Sequence, residues 1–254
     1  MVYFQPYKTM STIKERVENY FFGNPKLIGK KILFIKRDKR LTEYKQYLDE
    51  VHEFGNVWHG ITGFLRGERV SVIVTGVGPS AVGDAVYALN RPNTICLYSG
   101  TCGGLAKTLN IGDYFVAEQA ICGDGFSFHL GYAPLSSVFS ASGLSRAIKT
   151  FLTEKFGCVG SGMAFTTSTV VREFEPDFWM SVNKEVQAIE MGAAAFYAAA
   201  QATGKKAAAY YWVTDLPRRG KSFLEALNPQ EMRIKQERYE QAVSLDIELL
   251  ECVE

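Results

Sequence analysis

The sequence predicts an α/β protein with a largely parallel central sheet. Three observations point there. Short apolar or β-branched runs alternate with segments of helical spacing along the chain. Three of those runs end in residues suited to the carboxyl edge of such a sheet: "TGVG" at 75–78, "SGTCGG" at 99–104 and "VTD" at 213–215. No linker and no internal repeat divides the 254 residues, so the chain reads as one domain over 1–254, with 1–25 as an N-terminal helical extension.

Each element has a local reason. "STIKERVENYFF" (11–22) opens on Ser11 as an N-cap and continues as an amphipathic helix. "KILFI" (31–35) is a buried strand, and "LTEYKQYLDEV" (41–51) has helical spacing. "VSVIVTGVG" (70–78) is a β-branched strand running into glycines, and "PSAVGDAVYAL" is a helix with Pro79 in its first turn. "NTICLYSGTCGGL" (93–105) repeats the strand-to-glycine pattern. "GDYFVAEQAIC" (112–122) reads as a strand pair, and 143–156 as a helix. "QAIEMGAAAFYAAAQATG" (187–204) reads as one helix ending near Gly204, with Glu190 and Gly192 inside it. "KAAAYYWVTD" (206–215) is a strand closing at Asp215, and 228–253 is a long amphipathic helix.

Composition narrows the function class. Hydrophobic residues make up 47% and charged residues 22%, with a net charge of +1. That balance supplies no pull toward nucleic acid or an anionic membrane. Cys96, Cys102, Cys122, Cys158 and Cys252 are widely spaced and form no CxxC, which suggests neither a disulfide framework nor a zinc site. His52, His59 and His129 have no metal spacing, and HExxH and GxSxG are both missing. With no apolar signal core and no 18-residue apolar run, the expected compartment is the cytoplasm.

Several residues can carry chemistry. The loops 75–80 and 99–104 expose backbone N–H groups to a ligand, or else make tight strand-to-helix turns; neither matches GxGxxG or the P-loop. Asp215 at a strand end can hold a proton and act as a general acid, or it can open the turn "DLP". Phe165 can stack on a planar base, and Thr166 to Thr169 can donate hydrogen bonds, unless the segment is a plain strand with a threonine face. Arg172, Arg218, Arg219 and Lys221 are either phosphate ligands or solvated surface.

The order "TGVGPS", "SGTCGGL…IGDYFVAE", "GMAFTT", "AIEMG", "WVTDLP" resembles the nucleoside phosphorylase/nucleosidase superfamily, from about Ile32 to the C-terminus. Within it, "GVGPS", "CGGL", "IGDY", "AIEM" and "TDLP" are most similar to short bacterial AMP nucleosidases. The resemblance implies a three-layer α/β/α sandwich with a mixed, mostly parallel sheet. It also implies a homo-oligomer, dimeric or hexameric, and cleavage of a purine N-glycosidic bond. Asp215 would protonate the leaving base at N7, Phe165 would pack on the base, and Met191 would lie under the ribose. Val77, Gly78, Thr101 and Gly103 would surround the sugar and its nucleophile, and Glu190 would be the first acid of a Glu-Met-Glu ribose motif. No cofactor is implied, apart from inorganic phosphate as a co-substrate or regulator.

The chain departs from that pattern at three places. Gly192 replaces the second acid of the ribose motif, which would leave room above it for a modified sugar. Thr169 and Val170 replace the paired arginines of AMP-specific members, and Tyr98 stands where phosphorylases carry an arginine. Arg40 falls near another expected phosphate ligand. The expected activity is therefore hydrolytic release of a purine. The alternatives are phosphorolysis, supported by Arg40 and Thr101, and a non-catalytic binding or assembly subunit.

Overall fold

The computed structural model describes residues 10–253. Its strands are β1 (Lys31–Ile35), β2 (Asp49–Gly55), β3 (His59–Leu65), β4 (Glu68–Val74), β5 (Ile95–Gly104), β6 (Tyr114–Gly123), β7 (Ser137–Phe139), β8 (Gly160–Thr167), β9 (Ala188–Glu190) and β10 (Lys206–Asp215). Its α-helices are α1 (Met10–Phe22), α2 (Leu41–Tyr44), α3 (Pro79–Ala88), α4 (Gly125–His129), α5 (Ser142–Phe156), α6 (Pro176–Ser181), α7 (Ala193–Ala202) and α8 (Pro229–Cys252).

The strands form one mixed sheet in the order β2-β3-β4-β1-β5-β9-β8-β6-β10, with β7 beside β6. Strand β10 also pairs with β5, so β5, β9, β8, β6 and β10 close on themselves. The sheet is buried between two helical layers. Helices α3 and α7, with α1 and α4, cover one face, and α5 and α8, with α2, cover the other. A separate apolar core fills each interface. This is the three-layer α/β/α sandwich that the resemblance implies.

The structure differs from the sequence reading in three segments. The stretch 41–51 is not one helix: it gives a single turn of α2, a 3-10 turn at Lys45–Tyr47, and then β2. Strand β2 is an edge strand rich in exposed Asp, Glu and His, so its pattern lacks the alternation of a half-buried strand. It belongs to the antiparallel meander β2-β3-β4, which makes antiparallel pairings as common as parallel ones. Its tight turn places Arg66 at φ 49° and Gly67 at φ 81°, the left-handed pair that suits a hairpin. Residues 112–122 form one strand, β6, and not a pair. Residues 187–204 divide at Met191 and Gly192: Ala188–Glu190 pair with β5 and β8 as β9 before α7 begins.

Helix α8 starts from a capping box of Asn228 and Glu231, with Pro229 in its first turn. It buries Asp246 at 2% exposure against the sheet. Tyr44, Ser99 and Tyr210 all donate hydrogen bonds to that carboxylate, tying α2, β5 and β10 to α8. Burial nonetheless pushes the Asp246 carboxyl up to about 6. An unfolded aspartate titrates at about 3.9, so between about pH 4 and 6 the folded chain binds more protons than the unfolded one. Stability from this group is therefore greatest at low pH and falls as pH rises through that window, by on the order of 3 kcal/mol. Asp246→Asn is expected to flatten that part of the pH–stability curve in urea unfolding; parallel curves for the two proteins would contradict the assignment.

Candidate active site

Sheet register brings the chemistry together. Asp215 is the Cα partner of Gly103, Gly103 of Ile189, and Ile189 of Phe165. One row across β10, β5, β9 and β8 thus sets the candidate acid level with the candidate base-stacking ring. A register shift between Val213 and Asp215 re-aims the end of β10, as bulges beside active sites do. Beyond Phe165 lies a cavity of about 410 Å³. Asp124, Thr167, Thr169, Arg172 and Phe178 line it with Phe165, whose ring meets Phe178 edge to face at 6.1 Å.

Asp215 is buried, at 6% exposure, and accepts a hydrogen bond from Thr214 Oγ1 at 2.7 Å. Burial raises its pKa, opposed by the Thr214 bond and by Lys235. Glu173 lies close enough to feel that charge. It sits in the 3-10 turn Val171–Phe174, half-buried, and its carboxyl is pushed up to about 7, first by burial and then by Asp215. Trp179 Nε1 holds the turn by donating to the Glu173 carbonyl at 2.8 Å, and Phe174 meets Phe223 at 5.4 Å. Arg218 donates to the carbonyls of Val182 and Asn183 at 3.2 and 3.0 Å, and to those of Lys184 and Val186 at 3.4 Å. These contacts lace the segment after Asp215 to the segment that carries Glu173.

Beneath this row sits Glu190, at 4% exposure. Its carboxylate turns inward. Oε1 accepts from Thr166 Oγ1, while Oε2 accepts from the backbone N–H of Gly192 at 2.6 Å and of Ala193 at 2.9 Å and from Tyr211 Oη at 3.0 Å. Thr166 Oγ1 in turn accepts from Ala194 N at 2.8 Å. The pair satisfies the orphan donors that begin α7. Burial raises the Glu190 pKa, and Thr166, Lys36, Ala193 and Tyr211 pull it back. Gly192 packs under Tyr98: a Cβ added there would lie 2.8 Å from Tyr98 Cε1 and 2.9 Å from Oη. The space that the sequence reading left open is filled by that ring.

The sequence model of the phosphorylase superfamily matches residues 32–245. The chain belongs to the phosphorylase superfamily. A DeoD-type purine nucleoside phosphorylase from Listeria monocytogenes is 30% identical over 181 residues, covering 66% of this chain and 74% of its own. One from Caldanaerobacter subterraneus is 30% identical over 167 residues, covering 62% and 68%. The structure of uridine phosphorylase from Vibrio fischeri superposes with a TM-score of 0.72 at 15% identity, covering 89% of this chain and 94% of that one. This last likeness is one of fold.

Within this superfamily fold the remaining candidates fall into two groups. Val77, 56% exposed, and Gly78, at φ 112°, form the loop that leads into α3. Thr101 and Met191 are half-buried, and Gly103 is buried against Ile189 and Pro217. The cations form the second group, and each has protein partners. Arg40 grips Glu43 through Nε at 3.1 Å and Nη2 at 2.8 Å, donates to the Tyr239 carbonyl, and stacks on the Tyr239 ring at 4.4 Å. Arg40, the candidate phosphate ligand, thereby holds α8. Arg172 pairs with Glu175 and Asp177, Arg219 donates to the Leu109 carbonyl, and Lys221 pairs with Glu231.

Sequence reasoning missed Glu173 and Lys36. Lys36, just past β1, donates to the Thr101 carbonyl at 3.0 Å and lies 5.8 and 5.6 Å from the Tyr98 and Tyr211 ring centroids. Burial lowers its pKa, opposed first by Glu190. The signal was present in "FIKRDKR", where a lysine directly follows a strand whose carboxyl end faces the glycine loops. Glu190→Ala is expected to cost about 3–5 kcal/mol of stability in urea unfolding, because it leaves the start of α7 without its acceptor and the buried Lys36 without the opposing charge. Glu190→Gln, which keeps shape and one acceptor, is expected to cost less. Equal, small losses for both would show that the hub is dispensable.

Proposed function

We propose that the protein cleaves the N-glycosidic bond of a purine nucleoside or nucleotide by hydrolysis, with Asp215 as the acid that protonates the departing base. The observation that carries this reading is the buried Asp215 carboxyl on the same sheet row as Phe165. A purine seated against Phe165 needs a proton as its bond to the sugar breaks. Burial favours the protonated acid that can supply it. The exposed loop at Val77 and Gly78 and the half-buried Thr101 and Met191 leave the adjoining space for the sugar and the attacking water. The relatives named as purine nucleoside phosphorylases support the base class.

The arginines support water as the nucleophile, since Arg40, Arg172 and Arg219 are each held by carboxylates or carbonyls of the protein. A second reading, phosphorolysis, is favoured by Lys36. Its ammonium retains N–H donors beyond the one given to Thr101, and an anion beside that loop would meet them. The resemblance also supports a homo-oligomer, dimeric or hexameric, which light scattering measures. No helix among the described residues is long and apolar enough to cross a membrane.

Base release from a panel of purine nucleosides and nucleotides, with and without phosphate, tests the reading. Hydrolysis is expected without phosphate; strict phosphate dependence would establish the second reading. Binding without release under either condition would overturn both in favour of a non-catalytic subunit. Asp215→Asn is expected to lower kcat/KM by roughly 10²–10⁴-fold. Because the acid must carry its proton, kcat/KM is expected to fall as pH rises through its titration.

A further inference from the structure

Phe165 belongs to two places at once. It stands on the sheet row that carries Asp215, and it lines the cavity of about 410 Å³. A cavity of that size lies in the range that encloses a small ligand. Phe178, buried like Phe165, forms a second aromatic wall and meets it edge to face at 6.1 Å. Two such rings suit a flat heterocycle.

The polar groups of this cavity are unevenly supplied. Asp124, which follows β6 and precedes α4, lines it at 8% exposure. Its Oδ1 accepts from Ser127 N at 2.8 Å and its Oδ2 from Ser127 Oγ at 3.0 Å. A carboxylate oxygen accepts two hydrogen bonds, so each keeps one place for a further donor. Several donors of the lining are already spent inside the protein. Thr167 Oγ1 donates to the Thr169 carbonyl at 2.9 Å, and Ser181 Oγ to the Phe178 carbonyl at 2.7 Å. Arg172, the cation of the lining, is held by Glu175 at 3.1 Å and by Asp177 at 2.7 Å. The cavity thus holds a nearly buried acceptor with capacity to spare.

We infer that this cavity reads the base, taking a 6-aminopurine in preference to a 6-oxopurine, with Asp124 as the acceptor that makes the choice. The inference rests on the N-glycosidase reading for the ligand being a purine. An exocyclic amino group brings the donor that the Asp124 carboxylate has room for, and a hydrogen bond to a charged acceptor is stronger than a neutral one. A 6-oxo group brings a second acceptor to that carboxylate, and both lose hydration without gaining a donor. The same carboxylate, beside an arginine already paired twice, disfavours a phosphate here. The base, and not the phosphate of a nucleotide, is the group that fits.

Calorimetry on the wild-type protein with free adenine, unsubstituted purine and hypoxanthine tests the inference without turnover. Adenine is expected to bind roughly ten- to hundredfold more tightly than hypoxanthine, with purine between them. Asp124→Asn keeps an acceptor for the Ser127 backbone and a residue that caps helices well, and it adds an N–H donor. In that variant, checked for folding by its melting curve, hypoxanthine is expected to match or overtake adenine. Asp124→Ser, also a capping residue, replaces it if the first variant does not fold, and there the adenine preference is expected to disappear. Hypoxanthine binding as tightly as adenine to the wild type would overturn the inference, whatever the variants do, and so would no binding of either base. An adenine preference that survives both substitutions would remove Asp124 from the role. Base release from nucleosides by the wild type is a separate measurement. An adenine preference without base release would sink the N-glycosidase reading and leave the base preference standing; base release without the preference would do the reverse.

Discussion

Glu190 carries a carboxylate into the junction of β8, β9, β10 and α7, where an unpaired charge would cost several kcal/mol. It is tolerated because four donors converge on it. Two come from the backbone that opens α7, one from Thr166 on β8 and one from Tyr211 on β10. The positive end of the helix dipole and the Lys36 ammonium add to them. Helix α7 depends on this arrangement more than most helices would. Ala193 to Ala200 are all buried, so polar contacts with solvent cannot anchor its start. The carboxylate both begins the helix and fixes its distance from the sheet.

The rest of the site follows from where α7 is held. With its first turn set by Glu190, Gly192 comes down on Tyr98, and Tyr98 and Phe196 pack against one another. Close approach also explains Gly100, where a Cβ would lie 2.8 Å from Lys36 Cε. The core under the candidate site is therefore made of interlocked rings and a saturated charge. The rim is built differently. Arg218 and the Phe174–Phe223 contact lace two loops together there.

Much of the fold was legible in the chain. The runs that became β1, β4, β5 and β10, and the helices α3, α5 and α8, have strong periods and local start signals. Asp215 was legible for the same reason, since a carboxylate that closes a buried strand stands at the edge where such sheets do their chemistry. The meander β2-β3-β4 was not. Its outer strand is charged and exposed, so its residues carry no burial pattern to read. Strand β9 was also hidden, because three residues become a strand only through partners in β5 and β8 that are far away in sequence.

The sequence by itself determined the layered α/β architecture, the family and the order of the site motifs, because periodicity, strand ends and short motifs are local properties of the chain. Tertiary structure alone decided what the motif residues do. Glu190 serves the helix start, Arg40 serves α8, and Tyr98 fills the space above Gly192. Each of these outcomes depends on atoms brought together from distant segments, and packing settles which donor reaches which acceptor. A residue's type states what it can bond; only the closed sheet and its two helical layers state what lies within 3 Å of it.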